Sequence, residues 1–295
     1  MGSFGEQALP GTFFILFALW YVVQTFCRYF SCKQRSACFA STVAFSSDCL
    51  CGRLKILPME TFVKISLVTI VFSGEVITGF SNRTLSSLGH SQCATMSFYF
   101  GITAVVDLLV FYNFPVPPDI DYVSNILALF AEWLLFHFRF YEQTELNILL
   151  HTLLKCIIMA NIAAIAMEMY YRHSLFGPLG RSYFLLLQGT WLWQVGFILY
   201  NPTSGPKPWK EDDQTELSTA SLFFIWHCGV DFIIILLTGA TVACCYHHKG
   251  VNLQDDGYGV MRLLHSDDNC VNGQSTVTMN NYDIEDDLEF QSTSD

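Results

Sequence analysis

The sequence predicts an all-α, polytopic membrane helix bundle of about seven transmembrane helices, followed by a disordered acidic C-terminal tail. Three observations carry this. Only 14% of the 295 residues are charged and 52% are hydrophobic, which leaves too little polar surface for a soluble protein of this length. Seven apolar stretches reach the length of about 20 residues that a helix needs to span the hydrocarbon core. Beyond Gly250 the composition changes abruptly to Asp, Ser, Thr and Asn.

The seven stretches are residues 12–30, 62–80, 93–112, 122–140, 147–170, 181–200 and 218–246. Within lipid a backbone satisfies its own polar groups only as a helix or a closed barrel, and none of these runs shows the strict alternation of a barrel strand. The first begins after a start without Lys or Arg and ends near Arg28, the pattern of a membrane anchor rather than a cleaved signal peptide. Residue 6 is Glu, not the Ser or Thr of a myristoylation site. Two regions follow: residues 1–249 as the seven-helix transmembrane domain and residues 250–295 as the tail.

In that tail ten acids oppose one base, Arg262, so it holds -9 of the formal charge of -11 and the membrane body is nearly neutral. Such a segment buries too little to fold and is read as a cytoplasmic site for trafficking or for a protein partner. No basic patch or aromatic platform suits nucleic acid, so the expected surroundings are membrane lipid. The sequence gives no oligomeric state.

Lys and Arg gather in cytoplasmic loops, so sorting them by loop gives an orientation. Ten (Arg28, Lys33, Arg35, Arg53, Lys55, Lys64, Arg172, Arg181, Lys249, Arg262) fall on one side and four (Arg83, Arg139, Lys207, Lys210) on the other, with Lys155 inside a helix. The N-terminus is therefore expected to be luminal or extracellular and the C-terminus cytoplasmic, in an endomembrane such as the Golgi or in the plasma membrane. Asn82-Arg83-Thr84 then lies on the outer side as a glycosylation sequon at Asn82, whereas Pro202 disqualifies Asn201-Pro202-Thr203.

Five of the eleven cysteines (Cys27, Cys32, Cys38, Cys49, Cys51) sit at or in the first loop, where a reducing compartment disfavours disulfides. Their spacing lacks the paired C-x2-C of a zinc site. Cys27, Cys32, Cys244 and Cys245 flank membrane ends, where palmitoylation is an option beside the free thiol.

Ionisable groups inside a bilayer cost at least a few kcal/mol each, and they mark a pathway, a site or an internal pairing. With alternating helix directions, Glu75, His137, His151, Lys155, Gln194 and His227 fall in the outer half. Glu132 and Asp231 lie near mid-depth, and Asp107, Glu168 and Gln188 toward the cytosol. His151 and Lys155 are four apart on one face, as are His227 and Asp231, while Gln188, Trp191 and Gln194 step by three. The candidate polar core or ligand cavity is thus Glu132, His151, Lys155, Gln188, Gln194, His227 and Asp231. Three readings compete for it: interhelical glue, a transporter-like or ligand-binding cavity, and a metal-dependent membrane enzyme. Lys155, read as the one cation deep inside a helix, is expected to pair with Glu75, Glu132 or Asp231. No hydrolase elbow, zincin or phosphate-loop motif is present, and no Asp-Arg-Tyr follows the third helix as in seven-helix receptors. The expectation leans to a non-enzymatic protein with no catalytic residue, metal or cofactor, and a mainly structural core.

Several segments resemble the transmembrane protein 45 family, also known as domain of unknown function 716. The most specific runs from Leu187 to Phe197 (LQGTWLWQVGF), with Ala8-Leu9-Pro10-Gly11, Thr95-Met96, Asp107, Glu132, His151, Glu168, Trp226-His227 and Ser266-Asp267-Asp268 beside it. Together they cover roughly residues 8–30 and 90–246, and the loop at 31–61 is unlike the family. The resemblance implies a multi-pass protein of endomembranes or the cell surface, with no established activity. It also places family histidines where this chain has Cys93, Arg139, Tyr141 and Leu149, a departure that weakens the metalloenzyme reading.

Overall fold

The computed structural model describes residues 4–34, 38–43, 59–81, 86–138, 144–200, 209–210 and 213–248. They form seven helices: α1 Phe4–Gln34, α2 Met59–Ser81, α3 Ser86–Phe111, α4 Ile120–His137, α5 Glu145–Tyr170, α6 Phe176–Tyr200 and α7 Gln214–His248. No strand occurs among the described residues. The protein is a polytopic helical membrane protein, as the composition predicts. Five helices, α1, α2, α3, α5 and α7, are long and apolar enough to cross a bilayer by length and composition alone. The remaining two carry several of the buried polar residues, Glu132 on α4 and Arg181 and Gln188 on α6. Asn82, Cys49, Cys51 and the tail beyond residue 248 lie outside the described residues, so the glycosylation and tail expectations stand as they were.

Local chemistry sets the helix ends. Pro115, Pro117 and Pro118 forbid helix after α3, and the chain turns through left-handed Asn113 (φ 52°) and Asp119 (φ 66°), residue types that tolerate that region. Thr144 caps α5 by accepting the Asn147 N–H. Pro178 falls in the first turn of α6, where a missing N–H leaves no intrahelical bond unmade. Ahead of α7, Asp213 accepts the Thr215 N–H at 2.9 Å, and that bond holds the exposed Asp213 carboxyl below its ordinary pKa.

Lipid tails give helices no hydrophobic reason to associate, so close backbone approach and interhelical hydrogen bonds must hold the bundle. α6 is the hub and packs on α1, α5 and α7. Its crossing with α1 is closest at two glycines. A Cβ on Gly189 would sit 2.7 Å from the Gly11 carbonyl oxygen and 2.9 Å from the Ile15 nitrogen, and one on Gly11 2.8 Å from the Gly189 oxygen. Trp193 Nε1 donates to Thr12 Oγ1 at 3.0 Å beside this crossing, and Phe4 meets Trp193 edge-on. Two segments that the family resemblance rests on, Pro10-Gly11 and the run from Leu187 to Phe197, are therefore the two sides of one contact. Around α4, α5 and α6 a core gathers on Leu150, Leu154, Ile158 and Trp191, while α2 leaves Ile70 and Ile77 more than two-thirds exposed on its outer face.

Successive helices run in opposite directions. Segment 38–43 after α1, Asp119 before α4 and Arg172 after α5 share one end, where Ser31 and Tyr246 also meet at 2.9 Å. Phe4 at the start of α1 lies against Phe197 near the end of α6, at the opposite end.

Candidate functional site

The buried polar residues form three connected groups. At the end shared by segment 38–43, α2 brings Lys64 to Asp107 of α3 at 2.8 Å and to its own Glu60 at 3.0 Å. Glu60 accepts Trp20 Nε1 of α1 at 3.1 Å, so three helices meet in one ionic cluster. Lys64 also lies over the Tyr21 ring, 5.3 Å from its centroid.

Tyr21 joins this cluster to a second one, because its ring also lies 5.1 Å from the Arg181 guanidinium. Arg181 of α6 pairs with Glu168 of α5 at 2.9 Å, both almost fully buried. The remaining lone pairs and donors are used locally. Tyr122 of α4 and Ser41 donate to Glu168, and Arg181 donates to the carbonyls of Thr42 and Val43. Ser41 N–H donates to the Arg172 carbonyl at 2.7 Å, Arg28 to Thr42 at 2.7 Å, and Arg172 pairs with Asp119. Segment 38–43 is thus inserted between α4, α5 and α6, with Ser41 and Val43 buried. The Glu168 backbone presses so closely on α6 that a Cβ at Gly177 would stand 2.8 Å from it.

The third group contains the residues that the sequence singles out. Glu132 accepts Gln188 Nε2 at 2.8 Å, and both are buried. One turn along α6, Trp191 donates to the Leu150 carbonyl at 3.1 Å and meets the His227 ring edge-on at 5.9 Å. His151 is buried against Phe136, with Nδ1 on the Asn147 carbonyl at 2.9 Å. Asp231 is 1% exposed and accepts Thr190 Oγ1 at 2.7 Å. Glu132, Gln188, His151, His227 and Asp231 thus lie on four helices, and of these His227 is the one seen against Trp191. Lys155 and Gln194 are half-buried and have no recorded ion pair or hydrogen bond among the described residues, so the expected carboxylate partner of Lys155 is not seen there. The paired cations inside helices are Lys64 and Arg181, which the charge sorting counts with the cytoplasmic side because the predicted spans begin at 62 and 181. The helices begin at Met59 and Phe176, and each cation lies at least one turn further in. The Glu60–Lys64 spacing of four was the legible signal for one of them; the plug of segment 38–43 had none.

No three His, Cys, Asp or Glu side chains among the described residues are arranged to hold a metal ion. Cys38 is disulfide-bonded, and the other described cysteines are free, so its partner lies outside the described residues. The expectation of reduced thiols throughout the first loop fails at this position.

Residues 119–240 match the model of the Family of unknown function (DUF716). Transmembrane epididymal protein 1 of Homo sapiens is 30% identical over 100 residues, 34% of this chain and 36% of that protein. Transmembrane epididymal protein 1A of Mus musculus is 25% identical over 113 residues, 38% of this chain and 37% of that protein. The chain thus matches little more than a third of the length of these curated relatives. The resemblance carried by Glu132, His151, Glu168, the run from Leu187 to Phe197 and Trp226-His227 falls within residues 119–240, the stretch that matches the Family of unknown function (DUF716).

Proposed function

We propose that this is a non-catalytic, multi-pass membrane protein that crosses the bilayer seven times, in which the buried polar residues brace the helices and the cytoplasmic tail carries trafficking or partner binding. One observation carries the bracing: buried Asp107, Glu132, Glu168 and Asp231 each accept from a residue on a different helix. Each of these carboxylates bonds across a helix–helix contact through at least one oxygen, while Asp107 Oδ1 and Glu132 Oε2 have no hydrogen-bond partner among the described residues.

The same proposal sets the N-terminus outside and the tail in the cytosol, on the charge sorting of ten against four. The alternating helix directions put the start of α1 and the end of α7 on opposite sides, which fits either orientation. The Cys38 disulfide argues the other way, since it lies on the side assigned to the reducing compartment.

Glu132 and Gln188 separate bracing from a site. Gln188→Met strands a buried carboxyl and is expected to destabilise by about 1–3 kcal/mol, whereas Glu132→Met with Gln188→Met removes both partners and is expected to be nearly neutral. The measurement is unfolding of purified protein in detergent beside cell-surface and organelle trafficking. A double variant that folds and traffics as wild type but loses a cellular phenotype would overturn the proposal in favour of a site. The second reading, a ligand held within the bundle, is favoured by a cavity elsewhere in the fold.

A further inference from the structure

Beside the close crossing of α1 and α6, a cavity of about 450 Å³ lies among α1 to α6, within the range of small-molecule sites. Its ends are marked by Gly5 and Tyr21 on α1 and by Glu75 and Lys64 on α2, about 24 and 16 Å apart at the helical rise of 1.5 Å per residue. Spread over that length, the volume is an elongated space, a shape that suits a hydrocarbon chain. The wall along this length is apolar, with Phe13, Phe17, Val68, Val71, Phe100 and Leu185.

Polar groups face the cavity on adjacent turns of two helices. Asn161 of α5 is 1% exposed, lines the cavity, and its Oδ1 has no hydrogen-bond partner among the described residues. Asn125 of α4 also lines it and commits its Nδ2 to the Asp121 carbonyl at 2.8 Å, which leaves its amide oxygen as an acceptor. A buried unsatisfied amide oxygen costs about 1–3 kcal/mol, so it calls for a donor. Lys64 and Arg181 line one end but are already paired, with Glu60 and Asp107 and with Glu168, and Glu75 and Glu6 line the other, so the lining presents no unpaired cation to an anionic head.

We infer that this cavity binds a neutral, single-chain lipid with a hydroxylated head, of the monoacylglycerol class, its hydroxyls donating to Asn161 and Asn125 and its chain lying between α1 and the α2–α3 pair. The lipid reaches it sideways from the bilayer, because α2 is the least buried of the candidate spans, with 6% of its apolar window covered.

The test uses the full chain purified in detergent and a monoacylglycerol carrying a photoreactive group in its acyl chain. Labelling is expected to be saturable and to map to α1, α2 and α3. Unlabelled monoacylglycerol should compete, and the ionised fatty acid of the same chain length should compete at least tenfold more weakly. Val71→Trp, or Val68→Phe if the first does not fold, should reduce labelling at least tenfold, and Asn161→Leu by about tenfold, with wild-type melting retained. Leu127→Trp on the lipid-facing side of α4, where Leu127 is 48% exposed, should change nothing. Labelling that survives both cavity-filling variants, that ignores Asn161→Leu, or that the fatty acid displaces equally well would overturn the inference.

Discussion

Gly189→Ala adds one methyl group and should be among the most damaging small changes in the protein. The new Cβ would lie 2.7 Å from the Gly11 oxygen and 2.9 Å from the Ile15 nitrogen, where ordinary contact begins at 3.4 Å. Both obstacles are backbone, so no rotamer relieves them, and α1 must retreat from α6 by about 0.7 Å. Overpacking of this kind costs about 1–3 kcal/mol. A retreat of about 0.5–1 Å also forfeits a quarter to a half of the dispersion energy of each opened contact. Ala18, Val22 and Leu186, buried together along the same interface, would feel it, as would the 3.0 Å bond from Trp193 to Thr12. Against this, Ala is favoured over Gly in a helix by about 1 kcal/mol. The net expectation is destabilisation by about 1–3 kcal/mol. Gly74→Ala and Gly229→Ala provide the contrast, since a Cβ at either meets nothing within 4 Å and should be neutral or stabilising by up to about 1 kcal/mol. Equilibrium unfolding in mixed detergent micelles, followed by circular dichroism, compares the three. A Gly189→Ala protein as stable as Gly74→Ala would refute the close crossing.

Three further outcomes follow from the same contacts. Lys64→Met leaves buried Asp107 and Glu60 without their cation and should destabilise by about 3–5 kcal/mol, with partial recovery on adding Asp107→Leu; equal stability of single and double variants would contradict the pairing. Lys155→Met, by contrast, breaks no recorded ion pair and should change stability by less than about 0.5 kcal/mol in the same unfolding assay. For orientation, an epitope tag after Asp295 should resist protease added to intact cells; its detection without permeabilisation would reverse the topology and place the Cys38 disulfide in an oxidising compartment.

The helices were legible because each apolar run is long enough to admit little else in lipid. Their ends were not, because hydropathy fades at the interface while hydrogen bonding continues, so α1 starts at Phe4 and α6 at Phe176. Lys64 and Arg181, within two residues of the predicted span starts, were therefore counted with the cytoplasmic charges. Among the candidate residues, Glu132 and Gln188 were legible as intramembrane polar groups, though at different heights, near mid-depth and toward the cytosol, and they bond to each other. His227 and Asp231 share a face as their spacing requires, yet one meets Trp191 and the other Thr190. Spacing along one helix fixes direction but not the neighbour, which depends on how other helices cross. Segment 38–43 was opaque for a stronger reason: its residues bond through backbone carbonyls and short hydroxyls, which carry no periodicity.

The bracing account rests most directly on Arg181 and Glu168, buried between α5 and α6. A double-mutant cycle with Arg181→Met and Glu168→Leu, read by equilibrium unfolding of the purified chain, tests it. Each single change should cost about 3–5 kcal/mol, because it leaves an uncompensated charge in the bundle, and the double variant should regain much of that loss. Single variants that unfold like wild type, or a double variant that merely adds the two losses, would contradict the account.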